Sequence, residues 1–224
     1  MRSTLRAVME SWARSMINDW VSFVPGLLLL LLPADRLLSR WVELRSYECF
    51  NSLNNSPRHR PWWWVPALWV DPVRAYAGTW LLLRAMELET VFWTMLPKAG
   101  YGVLLAAIAV GVLCQTFTRR GGGGVLLAPI GYVGGVVAAL TSWPLASIGL
   151  LAAMLGVFAF RRFYAFFVSG AFALPLLGVA LGEEAFWLVP MAVALLVPLV
   201  ASWVSSCSLE LPVRDDSAPQ PVVR

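Results

Sequence analysis

Residues 185–205 read AFWLVPMAVALLVPLVASWVS, an uninterrupted apolar run that contains no charged side chain. At ~1.5 Å per residue, a helix over this run would be about 30 Å long, which matches the hydrocarbon core of a bilayer. Four similar runs come before it, at 101–118, 125–142, 144–160 and 164–181. A membrane β-barrel would instead alternate apolar and polar residues over strands of about ten residues. The chain is therefore predicted to be an all-α, polytopic integral membrane protein.

The composition of the whole chain agrees with a lipid environment. Hydrophobic residues make up 59% of the sequence and charged residues only 13%, about half the charged fraction of soluble domains. Cys49, Cys114 and Cys207 form no paired motif, and together with the single histidine, His59, they offer no cluster of zinc ligands. We therefore expect no metal, no cofactor, no disulfide framework and no nucleic-acid partner.

Charged residues in the connections between the apolar runs predict the orientation of the chain. Residues 119–120 and 161–162 are pairs of arginines, whereas residues 183–184 are a pair of glutamates on the opposite side of the predicted bundle. Short loops that are rich in arginine and lysine remain in the cytoplasm. This pattern predicts a bacterial inner-membrane protein with both termini in the cytoplasm.

A sixth span is predicted over residues 73–96, although this run contains Arg84, Glu87 and Glu89. A charge at the bilayer centre costs from ~3 to over 10 kcal/mol, so these three residues form a candidate intramembrane polar site. Arg84 and Glu87 are three residues apart on a helix and can pair across one surface. The alternative to a functional site is a pair of this kind that fixes helix packing.

The ends of the sixth span carry helix signals. Asp71 is expected to be the N-cap, and Pro72 suits the first helical position because its missing N–H would be unpaired there anyway. A helix of about 25 residues from this point would be about 37 Å long, enough to cross with some tilt. The result is a prediction of about six spans. The alternative has a seventh span near residues 16–34, with the amino terminus outside.

The first part of the chain is predicted to lie on the cytoplasmic surface of the membrane. Apolar residues recur at helical spacing over 5–16 and again within 34–49, which is typical of amphipathic helices that lie in the interface. Between them, residues 20–32 are too few to cross comfortably and are expected to form a re-entrant turn. The predicted organisation is a cytoplasmic-side amphipathic and re-entrant region with its linker, a transmembrane bundle and a disordered cytoplasmic tail, at 1–57, 58–211 and 212–224.

The stretch RHRPWWWVP, at residues 58–66, sets cationic side chains against three consecutive indoles. Tryptophan concentrates at the level of the lipid headgroups, and each arginine near anionic lipid gains about 1 kcal/mol of attraction. An interfacial anchor in contact with bilayer lipids, including anionic ones, is therefore predicted, with a specific headgroup site as the alternative. The anchor residues are Arg58, Arg60, Trp62, Trp63 and Trp64.

A second cationic stretch, TRRGGGG, occupies residues 118–124. Backbone amides of a glycine-rich loop that leads into a helix can bind an anion. The lysine and hydroxyl of a phosphate-binding loop are missing, and the alternative is a flexible loop flanked by cytoplasmic charges. The candidate residues for an anion or lipid-headgroup loop are Arg119, Arg120, Gly121 and Gly122.

The layout of residues 111–182 resembles that of the bacterial acyl-phosphate-dependent glycerol-3-phosphate acyltransferases. Both have a glycine-rich cytoplasmic loop that opens a span, followed by an apolar hairpin that ends in a run similar to AFALPLLGVALG at residues 171–182. The chain departs from that family at Gly123, which stands where the family has a lysine. The resemblance implies a lipid-modifying membrane enzyme.

Small residues recur at four-residue spacing on two of the predicted helices. Gly131, Gly135 and Ala139 form one stripe, and Gly149 with Ala153 forms another. Such stripes let helix backbones approach closely and associate by packing. We expect these stripes to mediate contacts within the chain.

Three functional classes remain open. No complete catalytic constellation is visible and no catalytic residue is assigned, which favours a non-enzymatic membrane scaffold or partner-associating subunit. The alternative is a transporter or channel component that uses Arg84, Glu87 and Glu89. A second alternative is the lipid-modifying enzyme with the cationic glycine-rich loop. The expected partners are bilayer lipids and a membrane-protein partner.

Overall fold

A computed structural model of the chain describes residues 19–32, 47–50, 66–86, 98–117 and 126–214. Seven helices lie within these residues: α1 Trp20–Leu31, α2 Pro66–Ala85, α3 Lys98–Thr116, α4 Ile130–Leu140, α5 Trp143–Phe160, α6 Tyr164–Ala180 and α7 Ala185–Ser205. The three short strands are β1 Tyr47–Phe50, β2 Leu126–Leu127 and β3 Leu209–Arg214. The described part of the chain is mostly helical, consistent with the predicted all-α class.

Two of these helices are long and apolar enough to cross a membrane, namely α5 and, from Phe186 to Ser205, α7. The apolar helices α1, α4 and α6 and the apolar part of α3 are shorter. The span predicted at 125–142 contains only the 11 residues of α4, because β2 occupies its start and Pro129 lies at the N-cap of α4. The full six-span arrangement therefore stays a prediction.

Helix α2 begins at Pro66, which corrects the predicted start of the sixth span. Asp71 is not an N-cap, because it lies inside α2 and its carboxylate pairs with Arg74. Pro66 suits the first helical position because the first N–H groups of a helix have no intrahelical partner, so a proline loses no hydrogen bond there. The same reason had favoured Pro72. Pro72 instead lies within α2, where it removes one backbone hydrogen bond.

Residues 20–31, where a re-entrant turn is predicted, are helical and form α1. The re-entrant path itself stays a prediction. Helix α1 packs antiparallel to α2, and the two cross where Gly26 meets Gly78. A Cβ atom on either glycine would lie 3.0 Å from the carbonyl oxygen of the other, so the absence of side chains permits this close packing. Helix α1 lies within residues 16–34, where the alternative places a seventh span. Its 12 residues are only about 18 Å long, shorter than the ~30 Å hydrocarbon core of a bilayer.

The remaining helices pack around α7. Helices α5, α6 and α7 follow one another in contact, and α7 also contacts α3 and α4, while α4 packs closely against α2. The predicted role of the small residues is confirmed, because Gly135 lies against Pro72 of α2 and Gly149 against Leu174 of α6. These glycines mediate helix contacts within the chain.

The helix ends gather at two opposite ends of the bundle. We call the end that carries Arg161 and Arg162 the arginine end, and the end that carries Glu183 and Glu184 the glutamate end. At the glutamate end, the hydroxyl of Ser142 donates a hydrogen bond to Glu183, which joins the start of α5 to the start of α7. Both α2 and α4 begin at the arginine end.

A three-stranded sheet, in the order β1-β3-β2, lies at the arginine end. Strand β3 is antiparallel to β1 and parallel to β2, with Tyr47 opposite Arg214 and Leu126 opposite Leu209. The sequence did not predict this sheet. Strand β3 includes residues 212–214, the first part of the predicted disordered tail, whereas residues 215–224 lie outside the described residues.

Candidate functional site

The polar interior of the described residues centres on Arg74 in α2. Only 3% of this residue is exposed. Its Nη1 donates a 2.9 Å hydrogen bond to the carbonyl of Leu29 and another to the carbonyl of Leu32, and its Nη2 lies 3.1 Å from Oδ1 of Asp71. A buried guanidinium requires both a counter-charge and hydrogen-bond acceptors, and Arg74 has both.

The acceptors of Arg74 belong to the last turn of α1. The final four carbonyls of a helix have no partner within it, and they carry a partial negative charge. Arg74 bonds two of them, and the hydroxyl of Tyr132 in α4 donates a 3.0 Å hydrogen bond to a third, that of Leu30. Side chains from two helices therefore bind the end of a third. We call Arg74, Asp71, Tyr132 and these three carbonyls the Arg74 node.

The ring of Tyr132 also contacts Arg74 directly. The guanidinium carbon lies 5.4 Å from the ring centroid, within the range of a cation–π interaction. Tyr132 is only 1% exposed, and α3 makes room for it with a glycine at position 111. A Cβ atom on Gly111 would overlap the Tyr132 hydroxyl and lie 3.2 Å from the Leu30 carbonyl oxygen. The node therefore depends on four helices.

The polar groups of the node are used in contacts between helices. Both Nη atoms of Arg74 are engaged, and its Nε, which is buried, has no hydrogen-bond partner among the described residues. The Asp71 side chain is 26% exposed, so the ion pair has one edge near the surface. The arrangement holds α1, α2 and α4 in a fixed relation.

Arg84, the described member of the predicted intramembrane site, lies at the other end of α2. It is exposed, and its guanidinium carbon lies 5.6 Å from the ring centroid of Trp80. Asp19, the N-cap of α1, lies at the same end. A 2.5 Å hydrogen bond from Ser22 is the largest cause that lowers the pKa of Asp19, and the Arg84 charge lowers it further. Glu87 and Glu89 lie outside the described residues, so the Arg84–Glu87 pair stays a prediction.

The other predicted site residues also lie outside the described part of the chain. Those of the interfacial anchor are Arg58, Arg60, Trp62, Trp63 and Trp64, and those of the glycine-rich loop are Arg119, Arg120, Gly121 and Gly122. Within the described ranges, no group of three or more His, Cys, Asp or Glu side chains could hold a metal ion. The anchor and the loop stay predictions.

An apolar groove opens on the side of the bundle, next to the node. Its volume is about 730 Å³, and we call it the lateral groove. Helix α4 contributes Gly134 and Ala138 to its lining, α2 contributes Trp69 and Val73, and Trp143 of α5 also lines it. Further lining residues come from α6 and β3, and all of them are apolar or aromatic. The groove can therefore accept an apolar ligand.

No protein-family model, curated protein or solved structure matches this chain. The comparisons thus add no support to the resemblance of residues 111–182 to the acyltransferases. The function has to be inferred from the site residues themselves.

The sequence analysis did not identify Arg74 and Tyr132. Asp71 was assigned to the N-cap of a helix that begins at Pro72, so its pairing with Arg74 inside the helix was not predicted. A usable signal was present, since Asp71 and Arg74 are three residues apart in a run, Pro66 to Ala85, whose only other charged residue is Arg84. A helix start at Pro66 would have placed this pair inside the helix and drawn attention to it.

Proposed function

We propose that the chain is an integral membrane protein that serves as a scaffold, a fixed helical body that associates laterally with other membrane components. The observation that carries this proposal is the apolar exterior. Every described helix except α4 exposes large hydrophobic side chains, among them Val21 at 82%, Phe172 at 75% and Trp203 at 83%. Monomeric soluble proteins rarely expose apolar surface of this extent.

The two long helices support a membrane location for a second reason. Only 33% of α5 and 39% of the apolar part of α7 are buried in the bundle, whereas the core helix of a soluble protein would be mostly buried. On α5, Gly149 faces α6 while Leu151 and Leu155 are exposed. A helix that is apolar on both its packed and its open face suits a lipid environment.

The Arg74 node supports the scaffold role. Its hydrogen bonds and the contact of Arg74 with Tyr132 join α1, α2 and α4. The two helices that line much of the lateral groove, α2 and α4, therefore keep fixed positions relative to each other. A groove of fixed shape loses little conformational entropy when it binds a partner. In this proposal, the groove is the surface at which the protein meets other membrane components.

The membrane location can be tested at the two ends of α7. In a chain whose three native cysteines are replaced, Glu184→Cys and Ser208→Cys place single thiols at opposite ends of a helix about 31 Å long. If the arginine end is cytoplasmic, a membrane-impermeant thiol reagent will label Glu184→Cys in intact cells and will label Ser208→Cys only after the membrane is opened. Labelling of both from the same side would contradict a crossing by α7.

The scaffold role can be tested by crosslinking in native membranes. A photoactivatable residue at Val73 lies in the lateral groove, and one at Val200 lies on the exposed face of α7 outside it. Both positions are more than half exposed, so they have similar access to the membrane. We expect a discrete crosslinked species from Val73 alone. Identical, diffuse labelling from both positions would mean that the groove has no dedicated partner.

A further inference from the structure

We propose that the lateral groove binds one acyl chain of an anionic phospholipid, with the phosphate at the arginine end. This inference rests on the proposed membrane location and names the first component that the scaffold binds. The groove has about 730 Å³ of space, which is within the range of small-molecule sites. Its lining is apolar, so its occupant requires no polar partner along most of its length.

The rim of the groove indicates where the occupant enters. Val73 is 70% exposed and Trp143 is 72% exposed, so the groove opens onto the apolar exterior of the bundle. Within a bilayer, the material that covers this exterior is lipid hydrocarbon. An acyl chain can therefore enter sideways without leaving its apolar surroundings.

The size of the groove favours a chain over a helix. A helix is about 10 Å across, so only one face of a partner helix could enter the groove, whereas a single acyl chain is thin enough to lie inside it. The floor also suits a thin occupant, because Gly134 has no side chain and a Cβ atom there would meet only Leu150, at 3.8 and 3.9 Å. A single chain can lie on this floor between α2 and α5.

Charge at the two ends of the bundle orients the lipid. Arg161 and Arg162 are both exposed at the arginine end, and Phe166, four residues after Arg162, lines the groove. Glu183 and Glu184 lie at the glutamate end and would repel a phosphate. Arginine near an anionic headgroup is stabilising, so the complementary ligand has its negative charge at the arginine end.

The experiment measures lipid retained by the full-length protein. The protein is purified in mild detergent, stripped by prolonged washing, and exposed to mixed micelles that contain equal amounts of phosphatidylglycerol and phosphatidylcholine. Native mass spectrometry then counts the bound lipids. We expect about one retained lipid per chain, with phosphatidylglycerol preferred about fivefold.

Three variants separate the groove from the general surface. Ala138→Trp fills the groove and should lower retention about tenfold, whereas Val200→Trp adds the same side chain to the outside of α7 and should leave retention unchanged. Gly134→Leu, at a floor position with free space, should repeat the loss if Ala138→Trp does not fold. Arg162→Gln should keep the bound lipid but reduce the preference for phosphatidylglycerol about fivefold.

The outcomes distinguish this inference from the proposed membrane location. No retained lipid, equal loss in Ala138→Trp and Val200→Trp, or a protein fragment crosslinked from Val73 would overturn lipid binding. The labelling result expected for Glu184→Cys and Ser208→Cys would be unchanged in each of these cases, because it depends only on whether α7 crosses the membrane. Selective loss in the groove variants would support the assignment.

Discussion

Substitution of Gly135 by alanine would test the contact between α2 and α4. A Cβ atom on Gly135 would overlap the carbonyl oxygen of Pro72 and would lie 2.9 Å from both the carbonyl carbon and the Cα of Pro72. All three atoms belong to the backbone of α2, so no side-chain rotation can relieve the overlap. The two helices would have to move apart.

The expected loss of stability follows from two contacts. Overpacking of a tight interface costs about 1–3 kcal/mol, and a backbone obstacle places this case toward the upper part of that range. Separation would also weaken the contact between Arg74 and Tyr132, which spans the same two helices and is worth roughly 0.5–2 kcal/mol. The better helix propensity of alanine offsets up to ~1 kcal/mol of this loss of stability. The net destabilisation should be roughly 2 kcal/mol.

The adjacent residue provides a matched control. Gly134→Ala makes the same chemical change in the same helix, but its Cβ would meet only the Leu150 methyl groups at ordinary contact distance. It should therefore be neutral or stabilise by up to ~1 kcal/mol. Unfolding of both variants in mixed detergent micelles, followed by circular dichroism, gives the two free energies. Equal stability of the two variants would refute a close crossing at Gly135.

Three further substitutions probe the Arg74 node, each followed by the same unfolding assay. Arg74→Lys keeps the charge, but a lysine side chain cannot bond two carbonyls and Asp71 together, so we expect about 2–3 kcal/mol of destabilisation. A fully stable lysine variant would argue against the geometry of the node. Tyr132→Phe removes the donor to the Leu30 carbonyl and should cost about 1–2 kcal/mol, and no change would mean that this bond is dispensable. Gly111→Ala should destabilise by about 1–3 kcal/mol because it displaces the Tyr132 hydroxyl, whereas Gly102→Ala, which meets no atom within 4 Å, should not; the reverse order would contradict the packing of α3.

The sequence predicted the helices that depend on local pattern alone. The bounds of α5, α6 and α7 agree with the apolar runs to within a residue or two, because charged or turn residues interrupt the sequence at 161–163 and 182–184. The start of α2 was wrong, because both Pro66 and Pro72 are suited to a first turn. In the structure the helix begins at Pro66, and Pro72 lies inside it, where its backbone packs against Gly135.

The node and the sheet depend on contacts that no local pattern contains. The acceptors of Arg74 at Leu29 and Leu32 lie 45 and 42 positions away, and the Tyr132 hydroxyl bonds a carbonyl 102 positions away. Strand β3 likewise pairs with residues near 47–50 and 126–127. The alternation at Leu209, Glu210 and Leu211 is too short to distinguish a strand from an extended tail.

The order of the strands has a consequence for how the chain is made. Strand β3 is the central strand, yet it follows every other described element in the sequence, and both β1 and β2 pair with it. During synthesis, β1 stays without its partner strand while α2 to α7 emerge, and β2 does so while α4 to α7 emerge. The sheet can close only after residues 209–214 have left the ribosome, so the arginine end is completed late, after all the described helices have been synthesised.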